Sequence, residues 1–267
     1  MSTIAVFNQK GGVGKTTTTL NVAAALAARG REPLVVDLDP QSHLTLALGL
    51  RNVAPDASLY AFFRDGKSLA QLVRQQDSGM QLLASSFELS KIEALHGSDV
   101  AITRRLKSGI DALAPRGPAL LDCSPAMGVL SLNALVAADG VLLPVSADYL
   151  SVEGANKLNA ALDVLEARLA KRFIRRIVVT RFDARRRLAF EIQAILRERF
   201  GEQVCASVIK ENVALAESPM HGKDIFAFAG HSQGAADYRA LTEELEACNF
   251  FGTHAKAPAG AAQGGAS

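Results

Sequence analysis

The chain has 267 residues, 49% of them apolar, enough to bury the core of one α/β domain. No stretch approaches 18 uninterrupted apolar residues, and the opening MSTIAVFNQK lacks the basic region, long apolar core and cleavage site of a secretion signal, so a membrane span and export are both set aside. The net charge of +2 excludes a uniformly basic or acidic protein, and three widely spaced cysteines (Cys123, Cys205, Cys248) fit reduced thiols in a cytoplasm, not a disulfide framework or metal-ligand spacing.

Thr3–Phe7 (TIAVF) is a short β-branched apolar run that reads as a strand, and a glycine-rich turn follows it. The alanine-rich stretch KTTTTLNVAAALAARG then has a helical pattern that stops at Gly30. Pro33–Asp39 (PLVVDLD) is a second apolar run, ending in two carboxylates; strand, loop, helix and strand predict a right-handed parallel βαβ unit. Beyond it the pattern predicts a helix over Ser68–Gln76, a strand at Met80–Ser85, a helix over Asp99–Ala114 and a strand at Ala119–Ser124. Ser131–Ala138 reads as helix, Gly140–Ser146 as strand, Glu153–Ala170 as helix and Arg175–Phe182 as strand. A helix over Leu188–Phe200, a strand at Val204–Ile209 and a helix over Ala235–Cys248 complete the alternation. Continuous apolar runs are the mark of buried parallel strands. The predicted fold class is therefore α/β, a doubly wound and mostly parallel sheet with helices on both faces. Residues 1–251 read as a single domain and the low-complexity residues 252–267 as a disordered tail.

Charge is unevenly placed along this order. Residues 168–187 hold nine basic side chains (Arg168, Lys171, Arg172, Arg175, Arg176, Arg181, Arg185, Arg186, Arg187) and one acidic one, Asp183, a local charge of +8 that leaves the remainder at −6. Such a block reads either as a polyanion-binding face or as a solvated helix end with an arginine loop.

The stretch NQKGGVGKTTTT, Asn8 to Thr19, carries the chemistry. Gly14-Lys15-Thr16 closes the phosphate-loop pattern G-x-x-x-x-G-K-[ST], although Gln9 stands where its first glycine belongs. Gly11, Gly12 and Gly14, with Val13 between them, permit close backbone approach, so N–H groups can converge on phosphate oxygens at a helix N-terminus. Lys15 is placed to reach β- and γ-phosphates, Thr16 to ligate Mg²⁺, and Thr17 to continue the cradle. Lys10, five residues before Lys15, is outside that pattern. On its own it reads as a contact to its own chain's phosphates or to solvent.

With Lys10, KGGVGKT resembles the deviant Walker A loop of the ParA/MinD family of ATPases. The resemblance implies an ATP-sandwich homodimer in which Lys10 reaches the partner's nucleotide and stabilises charge at its γ-phosphate. VVDLDPQSHLT is similar to the family's switch I segment, which implies that Asp39 faces Mg²⁺ and orients the attacking water. ALLDCSPAMGVLSLNALVAAD is similar to Walker B and switch II, which implies that Asp122 holds a water on Mg²⁺. PVSADYLSVEG, RFDARRRLAFEI, NVALAESPMHGK and GAADYRALTEEL continue the likeness to ParA sequences through residue 247. The implied catalytic set is Lys10, Lys15 and Asp39, with Thr16, Asp39 and Asp122 at the metal. The chain also departs from the family: Ser124-Pro125 replaces a pair of prolines, Ser42-His43 a glycine and asparagine, Lys210-Glu211 a proline and arginine, and Ala214 an arginine associated with DNA binding.

A ParA-type positioning ATPase is the function expected, with ATP and Mg²⁺ as cofactors and a cytoplasmic, nucleoid-associated location. Its partners would be a second copy of the chain, non-specific DNA and a ParB-like or other adaptor that stimulates hydrolysis, while no membrane partner is expected. Arg172, Arg175, Arg176, Arg185, Arg186 and Arg187 are the candidate DNA contacts, because guanidinium groups pair with phosphates bidentately. The chain begins directly at its first strand, so operator-specific repression through an N-terminal helix-turn-helix is not expected. Two alternatives stand beside this reading. A MinD-like membrane ATPase needs a basic amphipathic C-terminal helix, whereas YRALTEELEACNFF has three glutamates and one arginine and offers only Phe250 and Phe251 to a lipid surface. A metabolic P-loop ATPase of the same superfamily, amide-forming or reductase-type, needs a second-substrate pocket or cluster-binding cysteines.

Overall fold

A computed structural model of the protein describes residues 2–96 and 101–252. The first half runs β1 (Thr3–Val6), α1 (Lys15–Ala28), β2 (Leu34–Asp37), α2 (His43–Ala47), α3 (Leu59–Asp65), β3 (Arg74–Gln75), β4 (Gln81–Leu83), α4 (Ser90–His96), α5 (Arg105–Leu113) and β5 (Ala119–Asp122). It continues through α6 (Val129–Ala137), β6 (Gly140–Ser146), α7 (Tyr149–Leu169), β7 (Ile174–Phe182), α8 (Arg187–Phe200), β8 (Val204–Lys210), α9 (Val213–Glu217), α10 (Ile225–Ala229) and α11 (Gln233–Ala247). Among the described residues the strands form one eight-stranded sheet in the order β3-β4-β2-β5-β1-β6-β7-β8, antiparallel only between β3 and β4.

Each central strand is buried on both faces, and alternate residues serve opposite layers. Ile4 and Val6 of β1 and Leu120 of β5 join a core with Leu20, Leu26 and Tyr238 from α1 and α11. Ala5, Phe7, Leu121 and Val141 join the second core, with α3, α6, α7 and α8 on the other side. The doubly wound parallel sheet is the expected one. Its strands β1, β2, β5, β6 and β7 all deliver their C-terminal ends to one edge, which is where open α/β sheets bind ligands.

One predicted element is wrong. Ser68–Gln76 is not a helix: a 3₁₀ turn at Leu69–Gln71 gives way to the edge strand β3. A nine-residue segment nucleates a helix poorly, and here the open edge of β4 and a turn with Gly79 at φ +85° offer its backbone a partner, Gln76 N–H donating to Met80 O at 2.9 Å. The start of the helix predicted over Asp99–Ala114 lies outside the described residues. From Ala101 the chain makes a 3₁₀ turn before α5. Residues 253–267 of the predicted tail are also outside them. The sequence pattern does not predict the short helices α2, α3, α4, α9 and α10, because five to seven residues carry too little periodicity to register.

Candidate active site

The phosphate loop is held from both flanks. Asn8, 2% exposed, donates from Nδ2 to Pro144 O of β6 at 2.8 Å and accepts from the Lys10 N–H at 3.0 Å. On the other flank Thr180 of β7 donates to Val13 O at 2.9 Å. Gly12 and Gly14 take φ values of +73° and +84°, so a side chain at either would be strained. Gly14 is also the N-cap of α1, whose free N–H groups and positive dipole end therefore face the loop. Gly11, Gly12, Gly14, Thr16 and Thr17 line one 620 Å³ cavity with Asp39. A second cavity of 620 Å³ shares Gly12, Gly14 and Thr17 with the first and is also walled by Thr180, Arg181 and Tyr238. Asn8, Thr180 and Tyr238 were absent from the predicted site. Only tertiary proximity brings Thr180 and Tyr238 to a loop more than 160 residues away, whereas Asn8 lies inside the motif and was legible as its first polar residue.

Lys15 is 8% exposed and its Nζ donates to Lys10 O at 3.0 Å. Burial lowers its pKa, opposed by the charge of Asp122. Three aspartates gather beneath it. Asp37, wholly buried, accepts from Thr45 N–H and Oγ1 at 2.8 and 2.6 Å and so fixes α2 to the end of β2; burial raises its pKa to about 7. Asp39 accepts from the Gln41 N–H at 2.9 Å, and its carbonyl is held by Ser85 Oγ at 2.7 Å. Asp122 accepts from Thr19 Oγ1 at 3.3 Å, while its Oδ2 is buried without a hydrogen-bond partner. Burial first, and then the Asp37 charge, hold the Asp122 carboxyl well above the usual range.

This donor set fits a small hard cation. An orphaned carboxylate oxygen, a second carboxylate and the Thr16 hydroxyl lie beside a phosphate cradle, and Mg²⁺ is normally held by one or two carboxylates together with substrate phosphates and water.

Lys10 does not face its own cavity. Its Nζ donates to both oxygens of Asp148 at 2.8 Å and to Ser151 Oγ at 2.9 Å, at the N-terminus of α7. Asp148 also caps α7 by accepting from the Ser151 N–H, and its pKa is held at about 2, burial opposing and the Lys10 hydrogen bond leading the groups that lower it.

The predicted arginines are not brought together. Arg185, Arg186 and Arg187 follow the C-terminal end of β7 with side chains 88%, 73% and 93% exposed; Asp183 pairs with the first two and Glu191 with the third. Arg172 and Arg176 lie at the opposite end of the strand, Arg172 exposed and Arg176 donating to the Glu202 carbonyl. Arg175 leaves the candidate set. Its side chain is 8% exposed and is bonded to Asp163 at 2.7 Å, Glu166 at 3.0 Å and Asn159 Oδ1 at 2.6 Å, so both terminal nitrogens are engaged within the fold. Phe250 and Phe251 are 0% and 2% exposed, packed in the core with Ile4 and Leu20, which removes the aromatic pair that a membrane contact required. No helix among the described residues is long and apolar enough to cross a membrane.

The family described as AAA domain matches residues 1–174. The chain is 43% identical over 248 residues to the chromosome-partitioning ATPase Soj of Thermus thermophilus, covering 91% of this chain and 95% of that protein. It is 32% identical over 247 residues to the chromosome partitioning protein ParA of Caulobacter vibrioides, covering 91% and 92%. Of solved structures, it is similar to the cobyrinic acid a,c-diamide synthase of Mycobacterium smegmatis with bound ADP and magnesium, at a TM-score of 0.79 and 27% identity, covering 92% and 94%. Sheet order, phosphate loop and strand-end aspartates thus coincide with likenesses that run nearly the whole length of the protein, and the chain belongs to the ParA-type family of P-loop partition ATPases.

Proposed function

We propose that the protein is a Mg²⁺-dependent ATPase that closes as an ATP-sandwich homodimer, binds DNA without sequence preference, and positions a DNA or protein cargo until an adaptor stimulates hydrolysis and release. The observation that carries this reading is Lys10. Its side chain, 38% exposed, is turned away from its own phosphate cradle, and its ammonium is held by the Asp148 carboxylate and the Ser151 hydroxyl. A lysine so placed is available to a facing chain, and exchanging Asp148 for the partner's γ-phosphate makes closure depend on ATP.

The other roles follow from position. The N–H groups of Gly11 to Gly14 and the start of α1 bind the phosphates, Lys15 neutralises them, and Thr16 and Asp122 hold the cation, which supplies charge neutralisation at the β- and γ-oxygens. Asp39, on the segment that Ser85 fixes, orients a water. The cavity between Thr180 and Tyr238 receives the base and ribose. Arg185, Arg186 and Arg187 share the nucleotide edge of the sheet and form the DNA contact.

The test is binding to non-specific duplex DNA across a salt series with ADP, ATP or no nucleotide. Binding that requires ATP, falls steeply with salt and is lost with dimerisation in Lys10→Ala supports the proposal. A Lys10→Ala protein that dimerises with ATP and still responds to its adaptor sinks the trans role, and no DNA binding in any state sinks the track. The likeness to a diamide synthase at 27% identity keeps an amide-forming ATPase as the second reading. ATP turnover raised by a small carboxylic-acid acceptor and ammonia or glutamine, without DNA or protein, favours it.

A further inference from the structure

The loop that leaves Asp122 is fixed at its far end by a side chain from outside the nucleotide site. Val129 and Leu130 open α6, so no helical carbonyl accepts from their N–H groups. Glu93 of α4 accepts from both, Oε2 from Val129 at 2.8 Å and Oε1 from Leu130 at 3.1 Å. Gly128, just before them, has φ −112° and ψ −166°, extended backbone open to any residue. A Cβ there would nevertheless stand 2.1 Å from Glu93 Oε2 and 2.6 Å from Cδ. The carboxylate, and not the backbone, is what requires a glycine at 128.

The same loop reaches the chemistry at its other end. Ser131, fully buried, donates to Ala126 O at 2.6 Å, and Pro125 borders the cavity lined by Thr16 and Asp39. Residues 123–128 thus run from a buried metal-site carboxylate to a helix start whose place Glu93 sets.

We propose that Glu93 is a positioning residue for ATP hydrolysis: by occupying the N-terminus of α6 it fixes the resting place of the loop between Asp122 and Gly128. This rests on the ATPase reading above. Glu93 contacts neither phosphate loop nor cavity, so its loss misplaces Pro125 and its neighbours without weakening the phosphate cradle.

The experiment uses the full chain with ATP and Mg²⁺, comparing Glu93→Ala, Glu93→Gln, Gly128→Ala and the Glu93→Ala/Gly128→Ala pair. In Glu93→Ala and Gly128→Ala, kcat falls about tenfold with KM for ATP within about twofold, since a small misplacement costs turnover more than binding. The double variant is no slower than either single, because both remove one contact, and Glu93→Gln, which keeps one acceptor oxygen, lies between. The chain has no tryptophan, so Met127→Trp, at a loop position 40% exposed, adds a reporter whose emission shifts alike in both single variants. Unchanged turnover in both singles, multiplying effects in the double, or loss of fold in every variant by far-UV circular dichroism overturns the proposal. An unmutated chain that hydrolyses no ATP defeats the ATPase reading itself, whereas normal turnover in the unmutated chain and the variants alike defeats only the role of Glu93.

Discussion

The phosphate loop and the arginine-rich segment are both pinned by neighbouring side chains, yet the fold gathers one and divides the other. Residues 8–19 turn back on themselves, and Asn8 and Thr180 tie the loop to the two strands beside it, so glycines, lysines and Thr16 close around one cavity. Residues 168–187 run along β7 instead. The strand rises about 26 Å from Ile174 to Phe182, which keeps Arg172 and Arg176 near its start and Arg185–Arg187 beyond its end. Charge density along a chain becomes charge density on a surface only where the backbone turns. Arg175 shows a third outcome, in which a side chain counted as surface cation serves inside an ion-pair network with Asp163 and Glu166.

Substitutions can separate these behaviours. The largest effect is expected in the gathered region: Asp39→Ala lowers ATP hydrolysis about a hundredfold or more while ATP binding and dimerisation persist, as measured by phosphate release and by sedimentation with ATP. Unchanged hydrolysis removes Asp39 from the mechanism. Arg175→Ala comes next and acts on stability, not on DNA. It leaves Glu166 buried with its nearer cationic partner gone, a loss of about 3 kcal/mol read from urea midpoints, whereas a stability change under about 1 kcal/mol shows that the network contributes little. The triple change of Arg185, Arg186 and Arg187 to Ala weakens DNA binding about tenfold or more, alike for any sequence, and lowers the salt slope by about 3. Arg172→Ala with Arg176→Ala leaves DNA affinity unaltered. If that pair weakens binding as much as the triple does, the division of the basic segment by β7 has no functional meaning.

The resemblance read from Lys10, Lys15, Asp39 and Asp122 extended over nearly the whole chain because those residues follow strands whose apolar runs are unambiguous. Strand β1 is buried on both faces and gives way to Gly11 with no intervening choice, so loop and helix follow in register. The edge of the sheet was harder. The segment 68–76 puts Leu69, Leu72 and Val73 at helical spacing and against the core, yet the exposed edge of β4 takes Arg74 and Gln75 as β3. Glu93 was beyond sequence reading altogether, since its target amides lie 36 and 37 residues away and are identified only by α4 packing beside the start of α6.

The sequence by itself determined the doubly wound sheet, the position of the phosphate loop and the family, because strand hydrophobicity, glycine conformational freedom and the spacing of Lys10 and Lys15 are local properties of adjacent residues. Only the tertiary structure decided that Lys10 rests on Asp148, that Asp122 keeps an unpartnered oxygen, that Phe250 and Phe251 are core and that the arginines divide. Each of these depends on which distant group lies within a few ångströms, and that distance is set by the packing of whole layers.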